Sequence, residues 1–90
     1  MIDVVELEQT CRACPAQWEG RTADGRHVYV RYRFGWLQVG VGATLEDAID
    51  DETITLKLGD GMDGFLTYSQ LIAATQDQVR WPSRRSSDKQ

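Results

Sequence analysis

One histidine, two cysteines and two prolines are all that 90 residues contain of these types, and no long apolar run is present. Each scarcity removes a class of function. The one histidine, His27, offers a single imidazole for a nucleophile-and-base pair, and no carboxylate stands at a spacing that would orient its ring. Two cysteines and that histidine fall one ligand short of a closed zinc site within one chain. No apolar segment approaches the ~20 residues of a membrane helix. Residues 1–10 carry Asp3, Glu6 and Glu8 but neither a basic leader nor an apolar stretch. The expectation is therefore a cytoplasmic, soluble protein without a signal peptide, its thiols reduced.

What is present suffices for one domain. A chain of this length with 41% apolar content buries roughly 60–65% of the surface it exposes when unfolded. A deep cleft would draw residues away from so small a core. Small folds often build pockets between identical subunits instead, so a homo-oligomer is expected. The formal charge of −4 is unevenly laid out. Acids dominate residues 1–11 and 37–79, whereas Arg12, Arg21, Arg26, Arg31 and Arg33 outnumber Glu19 and Asp24 in residues 12–36. Such an acidic total disfavours nonspecific binding to a nucleic-acid backbone while leaving room for a local anion site on the arginine-rich segment.

Residues 15–43 read as an antiparallel meander. Asp24-Gly25 suits a two-residue hairpin turn, and Gly35 falls where a second reversal is needed. From His27 onward, Val28, Val30, Tyr32 and Phe34 alternate toward a core, leaving His27, Tyr29, Arg31 and Arg33 on the opposite face. Leu37, Val39 and Val41 continue the core face, and Trp36, Gln38, Gly40 and Gly42 the other. Glycines inside a strand point to a bulge or to the close approach of a ligand or another chain. Thr44 with Asp47 caps a short helix through about Asp50, and residues 53–58 form a fourth strand with Ile54, Leu56 and Leu58 inward. Thr67 with Gln70 caps a second helix, in which Tyr68, Leu71, Ile72, Thr75 and Val79 follow helical spacing until Trp81-Pro82 ends it. The predicted fold is α+β: an antiparallel three- to four-stranded sheet, a short helix, and a C-terminal helix packed on one face. Residues 1–81 form the domain, and 82–90 a disordered polar tail.

Three local patterns could carry chemistry. Cys11-Arg12-Ala13-Cys14 has metal or redox spacing, with two chains needed to reach four thiolates; two small buried side chains leading into a strand are the favoured explanation. Residues 59–70 superficially resemble a calcium loop, yet Gly59 and Gly61 occupy ligand positions and Gln70 replaces the bidentate Glu. No metal and no cofactor are expected. The third pattern is the polar sheet face. Tyr29, Arg31, Arg33, Trp36 and Gln38 share it, completed by Ala16, Trp18 and Gly20 or by their offset partners Gln17, Glu19 and Arg21. The candidate ligand-binding residues are Trp18, Tyr29, Arg31, Arg33, Trp36 and Gln38. Guanidinium forks bind phosphate or carboxylate, and rings stack on bases; the alternative is a solvated face whose arginines pair with nearby acids.

Cys14-Pro15-Ala16-Gln17-Trp18-Glu19-Gly20, then Asp24-Gly25-Arg26, then Tyr29-Val30-Arg31-Tyr32-Arg33 and the Gly-Asp-Gly-x-Asp-Gly-Phe-Leu stretch from Gly59 to Leu66 make the chain resemble a group of short uncharacterised proteins of bacteria and their phages. The resemblance implies a setting, that of a small accessory protein, and transfers no activity and no functional residue. In that setting the leading expectation is a non-enzymatic protein that sequesters an anionic, nucleotide-type signal. A module that blocks a defence complex through its acidic surface, with a protein as partner, is the alternative. A nucleotide-cleaving enzyme stands further off, because no acid, base and metal set is visible.

Overall fold

The computed structural model describes residues 1–12, 15–61 and 64–83. The α+β class holds, but the sheet is larger than alternation alone suggested, and it is mixed. Its strands are β1 (Ile2–Cys11), β2 (Ala16–Thr22), β3 (His27–Arg33), β4 (Trp36–Gly42), β5 (Ile54–Lys57) and β6 (Val79–Arg80), with α1 (Leu45–Asp50) before β5 and α2 (Tyr68–Thr75) before β6. They lie in the order β5-β4-β3-β2-β1-β6. All ladders are antiparallel except β1 with β6, where Ile2 meets Val79 and Asp3 meets Arg80 in parallel.

Both added strands come from the ends of the chain. The acidic opening is the ten-residue β1. Its alternation is broken by register shifts between Val4 and Glu6 and between Gln9 and Cys11, so no period-2 pattern survives to be read. Val79 fits helical spacing, but the helix stops at Thr75 and Val79 enters β6. The tail expectation falls mostly on residues 84–90, which lie outside the described residues.

One face of the sheet holds the core. Val4, Leu7, Ala16, Trp18, Val28, Val30, Tyr32, Leu37, Val39 and Ile54 are buried there with Leu66, Leu71 and Val79, each large aliphatic side chain contributing ~1.5–3 kcal/mol. α2 lies on this face. The Thr67 side chain accepts from the Gln70 backbone and the Gln70 side chain accepts from the Thr67 backbone, the capping box expected from the sequence. At its far end Trp81 Nε1 donates to Thr75 Oγ1 at 2.8 Å, and that hydroxyl donates to the Leu71 carbonyl. Two side chains assigned to the core are instead exposed, Phe34 and Leu58.

The turns divide the work differently from the sequence reading. Around Asp24-Gly25 only Gly25 has positive φ, and Gly25 N–H donates to the Thr22 carbonyl while Thr22 N–H donates to that of Arg26. This is a longer reversal than a two-residue turn. The two-residue turn is Phe34-Gly35, with φ of 55° and 80°, the pair of positive values such a hairpin requires. Phe34 thus leaves the alternation and turns outward.

α1 covers part of the second face. Thr44 Oγ1 accepts from Asp47 N–H, as its capping pattern predicts, and the helix packs on β3 and β4. The strand glycines make this possible. A Cβ at Gly40 would run into the Ala48 carbonyl oxygen, and one at Gly42 into Asp47 and Ala48. The close approach foreseen at Gly40 and Gly42 is therefore that of the chain's own helix.

Candidate functional site

Cross-strand register fixes which side chains share the second face. Gln17 lies opposite Arg31 and Arg31 opposite Gln38; Glu19 lies opposite Tyr29 and Tyr29 opposite Gly40; Arg33 lies opposite Trp36. The offset set Gln17, Glu19 and Arg21 therefore completes this face. Trp18, paired with Val30, is fully buried in the core on the other side. Its place among the site residues is withdrawn: Ala16 and Trp18 alternate with the polar Gln17, Glu19 and Arg21, and that period already turns the indole toward the core.

Tyr29 is the second correction. It shares the face with the arginines but is only 6% exposed, because its neighbour Gly40 lets α1 close over this part of β3 and β4. Burial pushes its hydroxyl above the ordinary phenol range, the positive charges of Arg31 and Arg33 opposing this and Glu19 adding to it. Tyr29 supports the site from beneath the helix and presents no open ring.

The remaining four residues do come together. Arg31, Arg33, Trp36 and Gln38, with Phe34, line a shallow hollow of about 220 Å³. Arg31 Nη2 donates to Gln38 Oε1 at 2.9 Å, and Gln38 Nε2 donates to the Asp51 carbonyl at 3.2 Å. The end of α1 thus orients the amide, and the amide orients the guanidinium. Asp51 is itself fastened: its carboxylate accepts from Val41 N–H at 3.0 Å, Thr53 N–H at 3.2 Å and the Thr53 hydroxyl. These hydrogen bonds, the Thr53 hydroxyl foremost, hold its carboxyl below the usual range. Arg33 lies over the Phe34 ring, 4.7 Å from its centre. Trp36 is 47% exposed and Phe34 58%.

The alternative of a face neutralised by its own acids can be examined directly. Among the described residues the ion pairs are Arg26 with Asp24 and Arg80 with Asp3, both at the surface. Neither Arg31 nor Arg33 is in one, although the chain carries 14 acids. Two guanidinium groups therefore line the hollow without an ion-pair partner among the described residues.

The other patterns gain little. Cys11 is half-buried at the end of β1, opposite Gln17, and Cys14 lies outside the described residues. Met62 and Asp63 of the calcium-like loop also lie outside them. Among the described residues no group of three His, Cys, Asp or Glu side chains is placed to hold a metal ion, and no helix is long and apolar enough to cross a membrane. The sequence reading missed Phe34, whose signal was the glycine after it. No protein-family model matches the chain, nor does any curated protein or any solved structure.

Proposed function

We propose that this protein is a non-enzymatic binder of a small anionic, nucleotide-type ligand, held at the hollow between Arg31, Arg33 and Trp36. The observation that carries the reading is a pair of arginines without ion-pair partners among the described residues, beside an exposed indole. Arg31 presents a guanidinium already oriented through Gln38, so less conformational entropy is lost when an anion docks on it. Charge-assisted hydrogen bonds of this kind are worth about 1.5–3 kcal/mol each, and stacking of a base on an aromatic ring about 1–3 kcal/mol. The hollow's lining consists of two guanidinium groups, an amide and two rings. That set binds and orients an anion, and it includes no nucleophile, general acid or general base.

In the bacterial or phage setting that the resemblance implies, such a protein acts by sequestering a signal. Assembly into a homo-oligomer belongs to the same proposal, supported by the exposed rings of Trp36 and Phe34. A second reading, docking of a protein partner, is favoured by a different observation: Leu58 and Phe65 are also exposed and line a neighbouring groove of about 370 Å³ beside α2.

A thermal-shift screen with nucleotides tests the first reading. A ligand present at 100 times its dissociation constant adds ~2.7 kcal/mol of apparent stability, and that gain should fall to about 0.4–1.4 kcal/mol in Arg31→Ala at the same ligand concentration. A screen in which no nucleotide stabilises the folded chain would return the site to an ordinary solvated face.

A further inference from the structure

Trp36 has a cation on each side. Arg33 stands directly opposite it on β3, and Lys57 directly opposite it on β5. Directly opposed residues in an antiparallel ladder point to the same face, so Arg33, Trp36 and Lys57 form one row across three strands, with the indole in the middle. Two inter-strand spacings separate the outer backbones, about 9.5 Å. Lys57 is exposed and, among the described residues, in no ion pair. The hollow on the Arg33 side, about 220 Å³, is smaller than the roughly 300–1,000 Å³ of pockets that enclose a drug-sized ligand. A nucleotide seated there leaves part of itself outside, and the side of Trp36 open to the remainder is the one Lys57 borders.

From this row we infer that the preferred ligand carries two anionic groups on either side of one flat ring: the ring stacks on Trp36, one group meets Arg31 and Arg33, and the other meets Lys57. The inference rests on the reading of the hollow as a nucleotide site and specifies the ligand class for it. A nucleoside with a phosphate at each end of its ribose supplies one flat ring and two separated anionic groups, and so does any linked pair of nucleotides. The competing role for Lys57 is purely protective. β5 is an edge of the sheet, and a lysine on an edge strand discourages pairing with another chain.

Titration calorimetry with adenosine monophosphate and with adenosine bisphosphate, phosphorylated at both ends of the ribose, separates these roles. The wild-type chain should bind the bisphosphate about tenfold tighter, one charge-assisted contact's worth. Lys57→Gln should erase that advantage by weakening the bisphosphate far more than the monophosphate, and Lys57→Arg should restore it. Because Lys57 is exposed, both variants should keep the wild-type unfolding midpoint. A bisphosphate that binds no tighter, or an advantage that survives Lys57→Gln, overturns the inference and leaves the Arg31 and Arg33 site standing. If neither nucleotide binds the folded wild-type chain, the functional reading itself fails and takes this one with it.

Discussion

Arg31 and Gln38 face each other across β3 and β4, and the guanidinium donates to the amide oxygen at 2.9 Å. Because the same amide donates to the Asp51 carbonyl, the pair links the hollow to the end of α1. Gln38→Ala removes both bonds, at about 0.5–1.5 kcal/mol each. The expected result is a loss of about 1–3 kcal/mol in urea unfolding together with weaker ligand binding. Gln38→Glu discriminates the two effects, since a carboxylate keeps Arg31 in place but neutralises it toward an anion: binding should fall further than stability.

Ligand binding should depend on Arg31 and Arg33 and not on the basic end of the chain. Arg31→Ala or Arg33→Ala should weaken binding roughly tenfold to a hundredfold. Truncation after Pro82, which removes Arg84, Arg85 and Lys89 but keeps the carbonyl that accepts from the Tyr68 hydroxyl, should change it little. Calorimetry on the two point mutants and the shortened chain makes the comparison. Loss of binding on truncation alone would place the cations that matter outside the sheet.

Phe34 occupies left-handed backbone that costs a bulky L-residue about 1–2 kcal/mol. Asn-Gly is the pair best suited to this turn. Phe34→Asn should therefore raise stability by about 0.5–1 kcal/mol, and the exposed ring gives up little burial. Binding should fall several-fold, because Arg33 loses the ring beneath it, a contact of about 0.5–1 kcal/mol. Thermal unfolding and calorimetry on one variant read both signs; a rise in both would show that the ring serves no ligand.

The meeting of Gly40 with α1 leaves no room for a methyl group. Gly40→Ala should cost about 1–3 kcal/mol through overpacking, and hydrogen exchange should show α1 loosened before the meander β2-β3-β4. Alanine tolerated at wild-type stability would mean the helix sits farther from the sheet.

Asp51 makes part of that helix attachment pH-dependent. Its folded carboxyl titrates below the unfolded value, so its contribution is complete above the unfolded value, near pH 4, and is lost as pH falls through the folded one. Stability below about pH 4 should decline less steeply in Asp51→Asn than in wild type. The group is partly solvated, which keeps the effect modest. Unfolding midpoints across that acid range are the measurement, and identical slopes would remove Asp51 from the account.

How far these features could be read beforehand depended on whether one period or two competed. Val28, Val30 and Tyr32 alternate against charged neighbours, and Thr67 stands three residues before Gln70; in both cases one geometry satisfies the residues, and it is the one found. Residues 16–21 alternate as well, Ala16 and Trp18 against Gln17, Glu19 and Arg21, and Trp18 was misplaced because the stacking chemistry of its ring was weighed above that period. Gly40 announced a close approach without naming what approaches, since a glycine records missing volume and not the identity of its neighbour. Tyr29 was misplaced for the same reason: its burial belongs to a helix that follows it by sixteen residues of sequence. In β1 the two register shifts erased the period altogether.

The parallel pair of β1 and β6 is short, yet it joins Ile2 to Val79, closing a loop that spans most of the described chain. Closing a long loop costs entropy that local turns do not, so the meander and its helix α1 can form from neighbouring contacts while this last ladder waits on the whole. Docking of β6 should then follow the rate-limiting step: Val79→Ala should mainly speed unfolding, whereas Val30→Ala should also slow folding. During synthesis β1 lacks its outer partner until Val79 has been made, and the unpaired flank of an acidic strand bearing Glu6 and Glu8 is poorly suited to pairing with other chains in the interval.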